Sequence, residues 1–299
     1  PTDYRTLTYE VTDRVARITF NRPERGNAIT ADTPGDLAAA VERADLDPRV
    51  HVILLSGRGK GFCGGYDLSI YAENKPVDGP DSTVGSVVDP VVQARNHDPR
   101  GTWDPMADYA MMSRFNRGFA SLLHADKPTV AKLHGFCVAG GTDIALYCDL
   151  IVAADDTKIG YPPTRVWGVP AAGMWSHRLG DQRAKRLLLT GDRITGTQAA
   201  EWGLAVESAP AERLDEVTER LVEKIAMMPV NQVMMVKLAL NSALLAQGVQ
   251  NSTMISTVFD GVSRHTREGY AFQRRAMDVG FREAVRERDE PFGDAKRSE

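Results

Sequence analysis

The stretch Gly61-Phe62-Cys63-Gly64-Gly65-Tyr66-Asp67-Leu68 says most about the architecture of the chain, and a second stretch, His134–Leu146, has the same organisation. Each follows an apolar run of strand length and leads into a helical pattern. Glycine lets the backbone turn sharply and lets a ligand approach main-chain N–H groups, and a helix N-terminus adds unpaired donors. Two such turns side by side predict two N–H donors directed at one oxygen, an oxyanion hole. The plainer interpretation, ordinary turns between strands and helices, stays open from the glycines alone.

The glycine pattern does not match the common phosphate-binding loops. A P-loop ends in Gly-Lys followed by Ser or Thr, and the segment Gly57–Lys60 lacks that ending. A dinucleotide-binding turn needs Gly-x-Gly-x-x-Gly, and the spacing of Gly57, Gly59 and Gly61 is different.

Outside these turns, periodicity predicts strands alternating with helices and then a helical last third. Two strands, Leu7–Val11 and Val15–Phe20, form a hairpin, followed by a helix over Ala31–Ala44 and a buried strand over Val50–Ser56. Further predicted strands are Pro128–Leu133, Leu150–Ala154 and Lys158–Gly160. Further predicted helices are Met106–His124, Ala139–Cys148, Gln182–Leu189, Thr197–Trp202, Ala211–Met227, Gln232–Gln247, Asn251–Arg264 and Phe281–Arg288.

This layout predicts a strand-and-helix core over residues 1–195 and a helical C-terminal region over residues 196–299. The segment Asn74–Pro105 is rich in Pro, Asp and Gly without a period, so we predict a long surface loop or flexible insertion there. Thr197 is the predicted N-cap of its helix.

Composition narrows the classes of function. The chain of 299 residues is 42% apolar and 25% charged, as in globular proteins. It carries 36 basic and 40 acidic residues, whereas nucleic-acid binding uses clustered cations, and no apolar run approaches the ~20 residues that span a bilayer. The three cysteines, Cys63, Cys137 and Cys148, show no metal-ligand spacing. We therefore expect a reduced, cytoplasmic protein with no nucleic-acid or membrane partner and no metal site.

Six segments in chain order resemble the crotonase superfamily, also called the enoyl-CoA hydratase/isomerase family. They are Asn21–Ala28, Gly61–Leu68, Lys127–Gly135, Cys148–Ala154, Gly168–Pro170 and Leu189–Gly191. The resemblance runs from about Val15 to Ala209, with weaker similarity as far as Phe292. Because all six occur in the right order, they are far more specific than either glycine turn alone.

The resemblance implies an α/β fold, a crotonase-like spiral of ββα units with a C-terminal helical trimerisation region. Homotrimers, often paired into hexamers, are expected, with an acyl-CoA thioester as substrate and no cofactor. By position, the oxyanion donors would be the backbone N–H groups of Tyr66 and Gly140. The residues implied in binding the CoA part of the substrate are Arg25, Ala28, Cys63, Gly65, Asp67, Leu68 and Gly141.

The sequence departs from the family at its acid/base positions. Hydratases of the family use two glutamates, one to activate water and one to supply a proton. Asp143 stands at the first position, one methylene shorter, and we predict a catalytic role for it. The second position falls on Pro163, which cannot transfer a proton, although a general acid or base contributes roughly 100- to 10,000-fold in rate.

Side chains of the insertion, or of the segment around Pro163, are candidates to replace the missing second glutamate. The candidates are His97, Asp98, Trp103, Asp104, Tyr161, Arg165 and Trp167. The plainer interpretation of His97 and Asp98 is that they are solvated residues of a surface loop. Cys63 is expected to be a small packing residue rather than a nucleophile.

Three hypotheses remain open from the sequence. The first is an enoyl-CoA hydratase with Asp143 as its main acid/base. The second is an isomerase or another enolate-forming enzyme of the fold, such as a decarboxylase, hydrolase or C–C lyase. The third is a non-catalytic acyl-CoA-binding relative, which Pro163 favours and Asp143 argues against.

Overall fold

The computed structural model describes residues 4–73 and 85–294. Its strands are β1 (Leu7–Thr12), β2 (Val15–Phe20), β3 (Val52–Gly57), β4 (Thr129–Leu133), β5 (Phe136–Val138), β6 (Leu150–Ala154), β7 (Lys158–Gly160), β8 (Arg193–Ile194) and β9 (Glu207–Ala209). The helices of the first half are α1 (Thr33–Leu46), α2 (Leu68–Tyr71), α3 (Pro90–Asn96), α4 (Pro105–His124) and α5 (Gly140–Ala145). Those of the second half are α6 (Trp175–Leu179), α7 (Asp181–Leu188), α8 (Gly196–Glu201), α9 (Leu214–Ala226), α10 (Val230–Ala246), α11 (Val249–Arg264), α12 (Arg267–Val279) and α13 (Phe281–Asp289).

The strands form two sheets, and from β4 onwards the chain passes back and forth between them. The larger sheet has the order β1-β2-β3-β4-β6-β9 and the smaller has the order β5-β7-β8. All pairs of the larger sheet are parallel except the β1–β2 hairpin. The chain passes from the larger sheet to the smaller twice, from β4 into β5 and from β6 into β7. This is the alternation that the predicted spiral of ββα units requires.

Apolar side chains place the larger sheet between two layers. The β3 residues Val52, Ile53, Leu54 and Leu55 are at most 3% exposed, as expected for a strand with parallel neighbours on both sides. One face of the sheet packs on the main core, which includes α1 and α4, and the other packs on α9.

The predicted loop Asn74–Pro105 is partly wrong. Residues 74–84 lie outside the described residues, but Pro90–Asn96 forms α3. Asp89 caps this helix by accepting a hydrogen bond from Val91 N at 2.8 Å, with Pro90 at its first position. Both are ordinary signals of a helix start.

Two further differences concern helix ends and the C-terminal region. The N-cap of α8 is Thr195 rather than Thr197, since Thr195 forms a complete capping box with Gln198. The helix α12 has no counterpart among the predicted elements. The strand β9 pairs with β6, so the larger sheet includes residues beyond 195. The division of the chain into two regions at residue 195 stays a prediction.

Among the described helices, none has both the length and the hydropathy needed to cross a membrane.

Candidate active site

The two glycine turns pack directly against each other. Phe62 N donates to Phe136 O at 2.9 Å and Val138 N donates to Cys63 O at 3.1 Å. The approach is so close that a Cβ on Gly65, whose φ is +94°, would lie 3.2 Å from the backbone nitrogen of Gly140. Only glycine fits at this point, and the predicted juxtaposition of the turns is observed.

The segment after β2 holds the first turn in place. Asn27 is buried, and its Nδ2 donates to the carbonyl oxygens of Arg58, Gly61 and Phe62 at 2.8, 3.0 and 3.1 Å. The two N–H donors of this buried amide are thus shared among three carbonyls of the turn.

The two proposed oxyanion donors lie at the adjoining edges of these turns. Ile29 forms a parallel β-bridge with Tyr66: Ile29 N donates to Gly65 O, and Ile29 O accepts a hydrogen bond from Asp67 N. In this parallel pattern the N–H of Tyr66, which lies between those two partners, points away from Ile29. Gly140 is the first residue of α5, where N–H groups have no partner within the helix. Ala139, just before it, has a φ of +52°, a strained conformation for a residue with a side chain.

A cavity of about 560 Å³ opens beside these turns. Five of the predicted site residues form part of its wall: Arg25, Ala28, Tyr66, Asp67 and Leu68. Asp67 is buried and accepts a hydrogen bond from Arg22 Nη2 at 3.0 Å. The other predicted residues are absent from the wall as the described residues form it: Cys63, Gly65, Gly140, Gly141 and Asp143.

Asp143 is buried behind the wall. It is 0% exposed, and its Oδ1 accepts a hydrogen bond from Ala172 N at 3.3 Å. Its Oδ2 has no hydrogen-bond partner within the described chain. Burial, together with the negative charge of Asp260, raises the pKa of Asp143 well above its usual range. In its ionised form Asp143 is therefore a stronger base than a solvated aspartate.

The ring of Tyr66 covers the start of α5. A Cβ on Gly140 would lie only 2.7 Å from Tyr66 Cε2, and the ring also packs edge-on against Phe115. Its hydroxyl is buried and unpartnered in the described part of the molecule. Burial raises the pKa of Tyr66 well above its usual range, and the charges of Asp143 and Asp260 add to this. The phenol is therefore a neutral hydrogen-bonding group.

Asp260, which no sequence motif indicates, borders the same glycine, Gly168, as Pro163 does. Both residues line the cavity. A Cβ on Gly168 would lie 3.0 Å from Pro163 Cβ and 3.7 Å from Asp260 Oδ1. Asp260 comes from α11, nearly a hundred residues further along the chain. Asp260 is 4% exposed, and its Oδ1 accepts a hydrogen bond from Val169 N at 3.2 Å.

Arg264 joins Asp260 to a second buried carboxylate, Asp108 of α4. Its Nη1 donates to Asp260 Oδ2, and its Nη2 donates to Asp108 Oδ1 at 2.5 Å. Trp103 Nε1 donates to the other oxygen of Asp108 at 2.8 Å. Burial pushes the pKa of Asp108 up, but Arg264 and His265 outweigh it and leave that pKa below its ordinary value. Burial prevails at Asp260, whose pKa is raised despite Arg264.

Within the insertion, the interpretation of His97 as a solvated residue is wrong. His97 is 8% exposed, lines the cavity and stacks on Trp167 with ring centroids 5.8 Å apart. Its Nε2 lies 2.9 Å from Arg264 O. Asp98, in contrast, pairs with the exposed Arg100 at 2.7 Å.

The other replacement candidates divide between the cavity and structural contacts. Tyr161 and Trp167 line the cavity, and burial raises the pKa of Tyr161 well above its usual range. Asp104 caps α4 by accepting hydrogen bonds from Met106 N and Ala107 N. Arg165 donates to Asp289 Oδ1 at 3.0 Å, which ties it to the C-terminal helix α13.

No cluster of three or more metal-ligating side chains occurs in the described ranges 4–73 and 85–294.

Comparison with known proteins agrees with this geometry. The family model described as enoyl-CoA hydratase/isomerase matches residues 10–94 and 103–276. A relative from Rhizobium meliloti named "probable enoyl-CoA hydratase" is 32% identical over 254 residues, covering 83% of this chain and 86% of that protein. The hydroxycinnamoyl-CoA hydratase-lyase of Pseudomonas fluorescens is 29% identical over 226 residues, covering 74% of this chain and 73% of that protein.

A solved structure is more similar still. A crystal structure of an enoyl-CoA hydratase from Mycobacterium smegmatis is 67% identical and has a TM-score of 0.92. The match covers 98% of this chain and 97% of that chain. The predicted fold class is thereby confirmed.

Proposed function

The chain belongs to the enoyl-CoA hydratase/isomerase family, and we propose that within this family it is a hydratase that adds water to a 2-enoyl-CoA. It is an enzyme that acts on acyl-CoA thioesters. The observation that carries the proposal is the adjacency of the two glycine turns beside one cavity, with Gly140 N only 3.2 Å from a Cβ position on Gly65.

Two backbone donors at this edge suit a thioester carbonyl. As water adds to Cβ of the enoyl group, the electrons of the double bond move towards the carbonyl, and negative charge develops on its oxygen. The N–H groups of Tyr66 and Gly140 would stabilise that charge, and loss of one such donor costs about 100- to 1000-fold in rate. Rigid backbone donors need little rearrangement during the reaction.

The CoA part of the substrate would lie along the wall that Arg25, Ala28 and Leu68 form. Besides Arg25 and Arg264, the cavity wall includes Arg193, Arg282 and Arg288. Guanidinium groups bind phosphate oxygens with paired hydrogen bonds, so these arginines suit the phosphates of CoA. The acyl group would then extend between the glycine turns towards Asp260.

Asp143 would exchange a proton with the attacking water. Its unpartnered Oδ2 is placed to accept a hydrogen bond from water, and burial, which raises the pKa of Asp143, makes its carboxylate a stronger base towards that water. The Tyr66 ring covers the start of α5, so water and substrate would have to reach Asp143 past this ring.

The test is incubation with crotonyl-CoA, and then with longer enoyl-CoA substrates, in deuterated water, followed by mass spectrometry. We expect addition of water with one deuterium retained at Cα, and a loss of roughly 100-fold or more in Asp143→Asn, which keeps the shape of the side chain but cannot accept the proton of water. Unchanged hydration in the variant would contradict the role of Asp143. Absence of hydration by the wild-type enzyme on every substrate would contradict the hydratase proposal.

Double-bond isomerisation is the second candidate, and Pro163 is the observation that favours it. Isomerisation moves one proton between carbons and needs only the oxyanion donors and one acid/base. In the same experiment it would give deuterium uptake and a shifted double bond without water addition. Binding of acyl-CoA with neither result would favour the non-catalytic alternative.

We also propose self-association through the C-terminal helices, as a homotrimer or a pair of trimers. Of the residues of α10, only Lys237 is buried, although the helix is largely apolar. Exposed apolar residues continue on α11 at Met254, Ile255 and Phe259. A cytoplasmic location is proposed from the three free, buried thiols, which suit a reducing compartment.

A further inference from the structure

We propose that Asp260 of α11 replaces the missing carboxylate at Pro163 and transfers the proton at Cα of the acyl-CoA. This deepens the proposed function and rests on it for the substrate class. Asp260 would be a catalytic residue supplied by the C-terminal helical region rather than by the ββα spiral.

The first argument is position. Pro163 stands where the proton donor is expected, and both Pro163 and Asp260 line the cavity. Asp260 Oδ1 lies 3.7 Å, and Pro163 Cβ 3.0 Å, from the same Cβ position on Gly168. A proline there leaves space that a glutamate side chain would otherwise fill, and a carboxyl from another element borders that space.

The second argument is the way in which the carboxyl is held. Oδ1 accepts a hydrogen bond from Val169 N, and Oδ2 accepts one from Arg264, whose side chain is only 14% exposed. Arg264 is held in turn by Asp108. A carboxyl fixed by a backbone amide and an anchored guanidinium has little freedom to rotate, which is what proton transfer at one carbon requires. Each carboxyl oxygen retains a lone pair for a further contact.

The third argument is electrostatic. The charged and titratable groups near Asp260 are Arg264 on its own helix, Asp108 on α4, Tyr66 and Tyr161 on the cavity wall, and Asp143 behind that wall. Burial, opposed only in part by Arg264, raises the pKa of Asp260 above its ordinary value. A proton donor at Cα needs a carboxyl that keeps a proton closer to neutral pH than a solvated aspartate does.

The step balances as follows. The oxygen of water bonds to Cβ while one of its protons goes to Asp143. The electrons of the C=C bond form the enolate, and the enolate then takes the proton of the Asp260 carboxyl at Cα. Asp260 is left as a carboxylate and Asp143 as a carboxylic acid, and exchange with solvent resets both. The sum is one water added across the double bond.

The experiment measures exchange of the Cα proton of butyryl-CoA in deuterated water by mass spectrometry. Butyryl-CoA is saturated, so exchange needs enolate stabilisation and a proton carrier but no water addition. We expect wild-type enzyme to exchange the proton, Asp260→Asn to do so roughly 100-fold more slowly or worse, and Asp260→Glu to recover part of the rate.

Asp108→Asn is the matched control for disruption of the arginine cluster. It also removes a carboxylate partner of Arg264, but it leaves the carboxyl beside Pro163 in place. We expect a clearly smaller loss in Asp108→Asn than in Asp260→Asn. Calorimetric binding of butyryl-CoA, and the thermal midpoint, show whether each variant is folded and still binds.

Equal losses in the two variants would overturn the proposal, because they would reduce Asp260 to a structural partner of Arg264. Unchanged exchange in Asp260→Asn, or no exchange by the wild-type enzyme, would overturn it as well. Exchange that depends on Asp260, in an enzyme that fails to hydrate any enoyl-CoA, would support this inference while contradicting the hydratase proposal.

Discussion

Cys63 illustrates how burial sets the chemistry of a single residue. It belongs to the first glycine turn, is 0% exposed, and its Sγ donates to Asn27 O at 3.2 Å. Burial raises the pKa of the Cys63 thiol to about 12. Because the thiolate is the nucleophilic form, the thiol is inert in the folded enzyme at ordinary pH.

We therefore predict that iodoacetamide at pH 8 leaves Cys63 unmodified in the native protein. The check is intact-protein mass spectrometry, with protein unfolded in guanidinium chloride as the positive control, where Cys63, Cys137 and Cys148 should all be alkylated. We also expect Cys63→Ala to retain most of the turnover, since it removes no proton-transfer group. Rapid alkylation of native protein at Cys63 would contradict this assignment.

The residues of the site differ in how far the sequence reveals them. Tyr66 and Gly140 are predictable because local glycine motifs fix their backbones, and the structure places the two turns together. Asp260 and Arg264 are four residues apart on one helix, a spacing that on an exposed helix face marks an ordinary surface ion pair. Only the packing of α11 against α4 and Gly168 turns this pair inward, and no pattern within α11 indicates that packing.

At the scale of elements, the contact that His97 makes between the end of α3 and the end of α11 depends on pH. His97 caps its C-terminus and links the insertion to α11 through Arg264 O. Burial lowers the pKa of His97 to about 4, from an ordinary value of 6.5, although the bond to Arg264 O acts in the opposite direction. The unfolded chain therefore binds a proton at His97 between these pH values and the folded chain does not.

The sign follows from linkage: the stability that His97 contributes is complete above about pH 6.5 and is lost as the pH falls towards 4. We predict that wild-type protein loses about 2 kcal/mol more free energy of unfolding between pH 7 and pH 5 than His97→Gln. Gln keeps a donor for Arg264 O but does not titrate. His265, whose pKa burial also lowers, is present in both proteins.

Urea unfolding at the two pH values measures this difference. The control is His124→Gln, which alters an exposed histidine at the end of α4 and should leave the pH dependence of wild type. The same pH dependence in His97→Gln and wild type would show that His97 does not carry the effect.

Elements with strong internal patterns are predictable, whereas those that depend on distant partners are less so. The apolar run of β3 and the periodic pattern of α4 lie close to their predicted bounds. The periodicity of the sequence does not predict the short helix α3, because seven residues carry little periodicity, although Asp89-Pro90 is a signal of its start. The capped start of α12 at Thr266 was a comparable signal within a segment for which no element was predicted.

At the scale of the whole molecule, α10 reverses the usual pattern of a surface helix, because it buries a charged residue and exposes apolar ones. Its one buried residue is Lys237, whose Nζ donates to Leu122 O and Lys127 O at 3.0 Å and pairs with Asp149 at 2.9 Å. Leu238 and Leu240 on the same helix are 52% and 67% exposed. A lysine turned inward and leucines turned outward make sense when a second protein surface covers the leucines.

We predict that the double variant Val236→Glu/Leu240→Glu is a monomer of 32.7 kDa and that wild type has three or six times this mass. The two positions are four apart on one face of α10 and are 50% and 67% exposed, so the glutamates would be buried without partners only in an assembly. Sedimentation equilibrium measures both masses. Leu46→Glu, at a 73% exposed leucine of α1, is the matched control and should assemble as wild type does. A monomeric wild type, or a double variant that keeps the full mass, would mean that this face does not hold the subunits together.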